Sequence, residues 1–190
     1  GARFGIVPAP SGATLDDSSL VFGHDALTSA STGRSNIAVG SESQKNTTDG
    51  RYNISVGNSA LENCNSGEGN IAIGDGAMKG AVSPLEGNDQ NVAIGFNSLK
   101  SIDAYGALNV AIGSESGGSI TAGTQNTFVG NYSGRLASST MTGSTFVGRQ
   151  SGESSTGSYC TGVGYQAGFN GGASGTYIGA EAGENSTGTA

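Results

Sequence analysis

The sequence has few of the residues on which catalysis, metal binding or a disulfide framework would depend. Of its 190 residues only 12% are charged, and there are two cysteines, three prolines, one histidine and no tryptophan. A single histidine gives no histidine-based metal site, and two cysteines are too few for a disulfide scaffold. No apolar run approaches the ~18 residues of a transmembrane helix. We therefore expect no enzyme activity, no cofactor or metal, and no membrane insertion of this segment.

Basic residues are also scarce. The formal net charge is −7, from 15 acidic and 8 basic residues. A chain of this charge repels polyanions, so nucleic acid is not expected as a partner. The acidic residues are spread along the chain, whereas a glycosidase needs two carboxylates roughly 5–9 Å apart. A glycan-degrading enzyme is therefore an alternative that the sequence does not favour.

Glycine, in contrast, is abundant, with 35 residues, and many of them recur at one period. The repeated pattern is Asn, a β-branched residue, a small residue, a β-branched residue and Gly, with Ala or Ser three positions later. The glycines that end it are Gly23, Gly40, Gly57, Gly74, Gly95, Gly113, Gly130, Gly148, Gly164 and Gly179. Successive copies are 15–21 residues apart, most often 17 or 18. Ten copies near one period predict a repeat architecture.

A period of about 17 residues is too short for two helices and suits one solenoid turn with two short strands. The first strand should hold the β-branched pair on one face, and the second should begin near the Ala or Ser. The glycine supplies a conformation or a close approach that a Cβ would prevent. We expect a β-roll over residues 20–190, truncated at its C-terminal end, and a connector or degenerate turn over residues 1–19.

The asparagines of the repeat form a column in the stack. They are Asn36, Asn53, Asn70, Asn91, Asn109 and Asn126. Their amides could hydrogen-bond along the stack or cap the local turn. Alternatively, asparagine is there only because it tolerates a left-handed backbone. All these interpretations are structural and none makes the column a ligand site.

Two other columns exchange volume along the chain. Two positions before the glycine the residue is small in the middle turns and large later, as in Phe128, Phe146 and Tyr177. Four positions after the glycine the trend is reversed, from residues such as Leu99 to residues such as Gly134. Because a close-packed interior needs a nearly constant volume per layer, we expect both columns to face one space. Contact between Phe128 and Gly134 is the specific prediction.

The longest step, from Gly74 to Gly95, is 21 residues and holds about four extra residues. Insertions in solenoids often lie on the binding face. The candidate binding residues of this loop are Pro84, Leu85, Glu86, Asn88 and Asp89. Tyr52, Tyr105 and Tyr159 lie in other spacers and could stack on a sugar ring, or could instead cover the edge of the roll.

Three further columns lead to smaller expectations. Lys45, Glu62 and Lys79 would alternate in sign up the stack and are interpreted as a solvated face. Cys64 and Cys160 lie six turns apart, about 29 Å, so they cannot pair within one chain and are taken as free thiols. Four threonines sit among the β-branched core positions, whereas an ice-binding solenoid would need a flat, regular threonine face. They are Thr127, Thr145, Thr161 and Thr176.

Each turn offers only about four apolar side chains, and they appear on both faces of the first strand. Before hydrogen bonds and dispersion are counted, two or three buried β-branched side chains are too few to offset the conformational entropy lost in ordering a whole turn. We therefore expect association, with one face inside the chain's own roll and the other against partner chains.

Residues 70–77 (NIAIGDGA) and 91–95 (NVAIG) resemble the head repeats of YadA-like trimeric autotransporter adhesins. Residues 126–134 (NTFVGNYSG) and 161–168 (TGVGYQAG) resemble the related repeats of phage tail fibres. The resemblance covers roughly residues 20–185. It implies an all-β, left-handed parallel β-roll of about ten short rungs, wound as a homotrimer and located outside the cell, on a cell surface or a virion fibre.

The function implied by the resemblance is that of a non-catalytic segment of a trimeric adhesin. Its loops would bind a glycan or protein on the surface of a host or prey cell. A purely structural fibre spacer, with the binding tip elsewhere, is an alternative. A tailspike-like enzyme that degrades glycans is another alternative, with the objection from the scattered carboxylates given above.

Overall fold

Ten strands of three residues each form one parallel sheet. The computed structural model describes residues 19–30, 32–80, 90–103, 105–172 and 174–186. The strands are β1 (Leu20–Phe22), β2 (Ile37–Val39), β3 (Ile54–Val56), β4 (Ile71–Ile73), β5 (Val92–Ile94), β6 (Val110–Ile112), β7 (Thr127–Val129), β8 (Thr145–Val147), β9 (Thr161–Val163) and β10 (Thr176–Ile178). Their order in the sheet is their order in the chain. The chain is therefore a β-solenoid of about nine turns, as the period predicts.

Neighbouring strands pair without slippage, so that equivalent residues of the repeat lie side by side. Ile54 of β3 lies between Ile37 of β2 and Ile71 of β4. The 21-residue step keeps this register, because Val92 of β5 lies beside Ile71. The four extra residues therefore leave the alignment of the strands unchanged.

The glycine that follows each strand is required both by its backbone and by its neighbour. Gly57 has φ +140°, a region that residues with a side chain rarely adopt. A Cβ placed on Gly57 would lie 2.6 Å from the carbonyl carbon of Gly74 in the next turn. Similar overlap recurs at each of the repeat's glycines from Gly23 to Gly164. The two reasons predicted for the glycine are thus both confirmed.

The predicted second strand is wrong. After each glycine the described residues form a series of turns, with left-handed residues two and four positions beyond it, as at Glu42 (φ 57°) and Gln44 (φ 50°). The Gln44 N–H donates to the carbonyl of Ala60 in the next turn at 3.0 Å, whereas the Ser43 N–H donates within its own turn to Gly40 at 3.4 Å. Alternate amides therefore bond between turns, without the extended backbone of a strand.

The interior of the roll is lined by the centre residue of each strand and by the residue four positions after the glycine. The ring of Phe128 lies on Gly134, since a Cβ added there would fall 3.2 Å from the ring's Cγ and closer still to its edge. The predicted contact is confirmed. Phe128 also stacks on Phe146 of the next turn, with centroids 6.2 Å apart and planes 12° apart.

Volume is shared between neighbouring layers as well as within one. In the turn of β6 both interior positions, Ala111 and Gly117, are small, so their own side chains would leave this layer underpacked. A Cβ on Gly117 would lie 2.8 Å from Cδ2 of Leu99 in the turn before and 3.0 Å from Cδ2 of Phe128 in the turn after. Two larger neighbours therefore fill this layer from both sides, which keeps the packing close.

The asparagine column is a continuous hydrogen-bonded ladder in the interior. The Asn53 N–H donates to Oδ1 of Asn36 at 3.0 Å, and Nδ2 of Asn53 donates to the carbonyl of Gly67 at 2.7 Å. The side chain thus bonds along the stack and also caps a turn. The left-handed alternative is wrong, because the positive φ of 59° belongs to the preceding residue, Tyr52.

Candidate functional site

The first and third side chains of each strand point away from the interior and form a regular outward surface, called the outer face here. Its first column is Leu20, Ile37, Ile54, Ile71, Val92, Val110, Thr127, Thr145, Thr161 and Thr176. Its second column is Phe22, Val39, Val56, Ile73, Ile94, Ile112, Val129, Val147, Val163 and Ile178. All are half-buried or exposed, while the centre residues of β1–β9 are buried. Alternation along each strand places the centre residue inside and the first and third residues, most of them β-branched, outside.

The four threonines of the first column lie on this outer face and not in the core. Thr127, Thr145 and Thr161 are half-buried and Thr176 is exposed. Their placement among core positions was wrong because the β-branched pair of every strand faces outward. A threonine column of the kind that the ice-binding alternative required thus exists over four turns, but the other six turns carry Leu, Ile or Val there.

Five of the predicted binding residues belong to the long step between Gly74 and Gly95. Pro84, Leu85, Glu86, Asn88 and Asp89 all lie outside the described residues. The binding role of this loop stays a prediction.

The tyrosines proposed to stack on a sugar ring are exposed but far apart. Tyr52 is 51% exposed, Tyr105 69% and Tyr159 68%, so more than half of each residue is open to solvent. Tyr52 and Tyr159 share a column, just before strands β3 and β9, which places them about 29 Å apart. Tyr105 belongs to another column. The three tyrosines therefore do not form one site.

A depression that sequence reasoning missed lies between two consecutive turns. It has a volume of about 250 Å³ and is lined by Thr32, Arg34, Asp49 and Arg51. Arg34 and Arg51 pair as an isolated parallel bridge, and Arg51 pairs in the same way with Glu68. The signal in the sequence was the separation of the two arginines by 17 residues, equal to the local period.

The charged residues after the glycines are largely paired. Nζ of Lys79 lies 3.2 Å from Oε2 of Glu62, which fits the predicted alternation, whereas Lys45 pairs with Glu42 of its own turn at 2.9 Å. The hydrogen bond and the charge of Lys45 lower the pKa of Glu42, and Glu42 in turn raises the pKa of Lys45. These residues link turns at the surface and do not converge on one point.

A tighter ionic cluster joins three consecutive turns around Arg135. Its guanidinium lies 2.5 Å from Oε1 of Glu153 and 4.0 Å from Oε2 of Glu115. The guanidinium carbon also sits 4.4 Å from the centre of the Tyr132 ring. The Glu153 side chain is only 4% exposed, and Gln150 donates to it at 2.8 Å. Glu153 therefore has a structural role, since its ion pair and hydrogen bond help to hold consecutive turns together.

The remaining nucleophilic and ligating side chains do not group into a site. Cys64 and Cys160 are both buried and neither is in a disulfide, in agreement with the predicted thiols. His24 is exposed, and its Nδ1 lies 3.2 Å from Oδ2 of Asp25. Within the described ranges no three His, Cys, Asp or Glu side chains are grouped so as to hold a metal ion. The described residues also include no helix long and apolar enough to cross a membrane.

Comparison of the chain with protein-family models, with curated proteins and with solved structures finds no match. The fold itself defines the class of protein, a parallel β-solenoid with an apolar outer face.

Proposed function

We propose that this chain is a non-catalytic segment of a homotrimeric adhesin, on a cell surface or a viral tail fibre, wound as a left-handed roll. The observation that carries the proposal is the outer face. Leu20 is 42% exposed, Ile112 39% and Ile178 72%, and apolar side chains extend over all ten strands. A contiguous apolar surface larger than a few hundred Å² marks an interaction site.

The regular spacing of the outer face favours further copies of this chain as its partner. The nine steps between ten strands, at about 4.8 Å each, make a face about 43 Å long. A second copy has the same spacing between its rows, so that every row of one chain can meet a row of another. Closed cyclic symmetry would then bury this face without leaving an open end.

Adhesion follows from what remains outside such a trimer. The tyrosines Tyr52, Tyr105 and Tyr159 are exposed, and three chains would present three copies of each and of the sequence 81–89. Weak contacts to a glycan or protein on a cell surface gain strength when several bind together. A spacer without ligand is the alternative function. A glycan-degrading enzyme is less well supported, because the two carboxylates that lie close together, Glu115 and Glu153, are both ion-paired with Arg135.

The assembly is tested by light scattering after size exclusion. We expect three times the 18.6 kDa of one chain. Ile73→Glu places a charge on the outer face and should yield monomers, because unpaired charge in an apolar interface is costly. Thr140→Glu, which adds the same charge at an exposed turn, is the control and should stay trimeric. A monomeric native chain, or an Ile73→Glu variant that stays trimeric, would contradict the proposal.

Adhesion is tested with labelled trimer on a glycan array and on intact cells. A variant in which residues 84–87 are deleted brings the 21-residue step back to 17 and removes most of the candidate loop. Loss of binding in this variant supports the loop as a binding site. Binding of the native trimer to no glycan and no cell would favour the spacer.

A further inference from the structure

We propose that the depression between Arg34 and Arg51 binds the carboxylate of an acidic sugar, a sialic or uronic acid. This inference rests on the proposed adhesin function and names the chemistry of one ligand. The depression would bind the charged sugar by its arginines, independently of the loop of residues 81–89.

The first argument is the close approach of two like-charged side chains. Arg34 and Arg51 are paired residues of adjacent turns, so their backbones are about 4.8 Å apart. Like charges directly opposite one another in a sheet are destabilising. An anion bound between the two arginines would remove that repulsion.

The second argument is that only one arginine is neutralised by the protein. Nε of Arg51 lies 3.1 Å from Oε2 of Glu68 in the next turn. Arg34 has no ion pair among the described residues, although the chain has a net charge of −7. Arg34 is also exposed, so its guanidinium fork is accessible to a carboxylate, which it can bind through two parallel hydrogen bonds.

The third argument concerns the other two residues of the depression. Thr32 offers a hydroxyl, and the Asp49 carboxylate can accept hydrogen bonds but also repels anions. A sugar acid carries one negative charge for the arginines and several hydroxyl groups for Thr32 and Asp49. Inorganic phosphate or sulfate has the charge without those hydroxyls. The set of side chains therefore favours a hydroxylated carboxylate over a simple oxyanion.

The size of the depression agrees with one sugar ring. Its volume of about 250 Å³ is below the range of roughly 300–1,000 Å³ that is typical for drug-sized ligands. Three copies in the proposed trimer would let weak single sites act together on a glycan-coated surface.

The test is a titration of each small-molecule probe with the native chain, and binding is measured by ligand-observed NMR. The probes are N-acetylneuraminic acid, glucuronic acid, glucose, sodium sulfate and sodium phosphate. We expect the two sugar acids to bind at least tenfold more tightly than glucose, sulfate or phosphate. Equal binding of sulfate or phosphate would overturn the choice of a sugar acid, and failure of both acids to bind would overturn the site.

The matched variants are Arg34→Gln and Lys100→Gln. Lys100 is also exposed and makes no ion pair with a described residue, so both changes remove one equivalent positive charge. We expect Arg34→Gln to weaken binding at least tenfold and Lys100→Gln to change it less than twofold. Equal effects of the two variants would overturn the site, because binding would then depend on overall charge alone.

The same variants separate this inference from the adhesin function. If the Arg34→Gln trimer adheres to cells as the native trimer does, this site is wrong while the adhesin proposal stands. If the native trimer adheres to no cell and no glycan, the adhesin function itself fails. Loss of adhesion with Arg34→Gln, and its retention with Lys100→Gln, would support both.

Discussion

Exchanging the volumes of Phe128 and Gly134 is the sharpest test of how the interior is packed. In the turn of β5 the same two positions are Ala93 and Leu99, and both residues are fully buried. Phe128→Ala combined with Gly134→Leu would rebuild that arrangement in the turn of β7. Leucine is compatible with the left-handed backbone at this position, since Leu99 has φ 47° where Gly134 has φ 59°.

Each single change should be costly for a different reason. Phe128→Ala removes a ring that fills its own layer and also contacts Gly117, and such truncations cost about 3–5 kcal/mol. Gly134→Leu drives a side chain into the Phe128 ring, and overpacking of this kind costs about 1–3 kcal/mol or more. In the double variant the new leucine enters the space that the ring has left.

The double variant should therefore be more stable than the sum of the single effects by about 2 kcal/mol or more, as expected for residues in direct contact. Its restoration is incomplete, because the stacking on Phe146 is lost. The assay is urea unfolding at one fixed chain concentration, since the stability of an oligomer depends on concentration. Strictly additive free energies of unfolding would refute the shared interior space.

The remaining predictions concern the asparagine ladder and the Glu42–Lys45 pair. Asn91→Ala should destabilise the chain by about 3 kcal/mol or more, because the Asn109 N–H and the Gly106 carbonyl lose their buried partner, at about 1–3 kcal/mol each. Asn58→Ala, at an exposed position, should have almost no effect in the same urea assay, and equal effects of the two would refute the ladder's contribution. Lys45→Gln should raise the pKa of Glu42 towards its ordinary value of 4.5, as followed by NMR titration. Because the folded pKa of Glu42 is lowered, its contribution to stability is present above the unfolded pKa and is lost as the pH falls through the lower folded value. An unchanged Glu42 pKa in Lys45→Gln would show that the ion pair does not cause the shift.

The features that the sequence predicted correctly are those that recur in every turn. The glycine at the end of each strand is one position repeated at one period, and the contact of Phe128 with Gly134 follows from two such positions. For the asparagine column the sequence left alternatives open, and the hydrogen bonds of the ladder decide between them. When the solenoid stacks, equivalent positions of the repeat form columns. The residue type of a column therefore reflects the residues above and below it. For this reason the repeat alone was enough to predict a contact in the interior.

The features that sequence reasoning missed depend on backbone geometry that residue type does not reveal. Gln44 and Leu99 adopt left-handed conformations that are unfavourable for isolated residues, and they keep them here because their amides bond to the next turn. The expected second strand failed for that reason. Similarly, the bridges that join Arg34 to Arg51 continue from Arg51 to Glu68, a residue of opposite charge, so no common residue type marked this column.

The arrangement of apolar side chains explains why association is the central step of the proposed function. The centre residue of a strand, such as Ala72, can be buried by the chain itself, because the turns after the glycine close over it. Ile71 and Ile73 on either side cannot be covered in that way, since strand alternation directs them outward. An adhesin subunit of this kind would therefore gain its rigidity from its neighbours, and its ligand sites would become rigid only when the copies assemble. Adhesion and assembly should then be lost together in Ile73→Glu, whereas Arg34→Gln should lose adhesion to acidic glycans and remain trimeric.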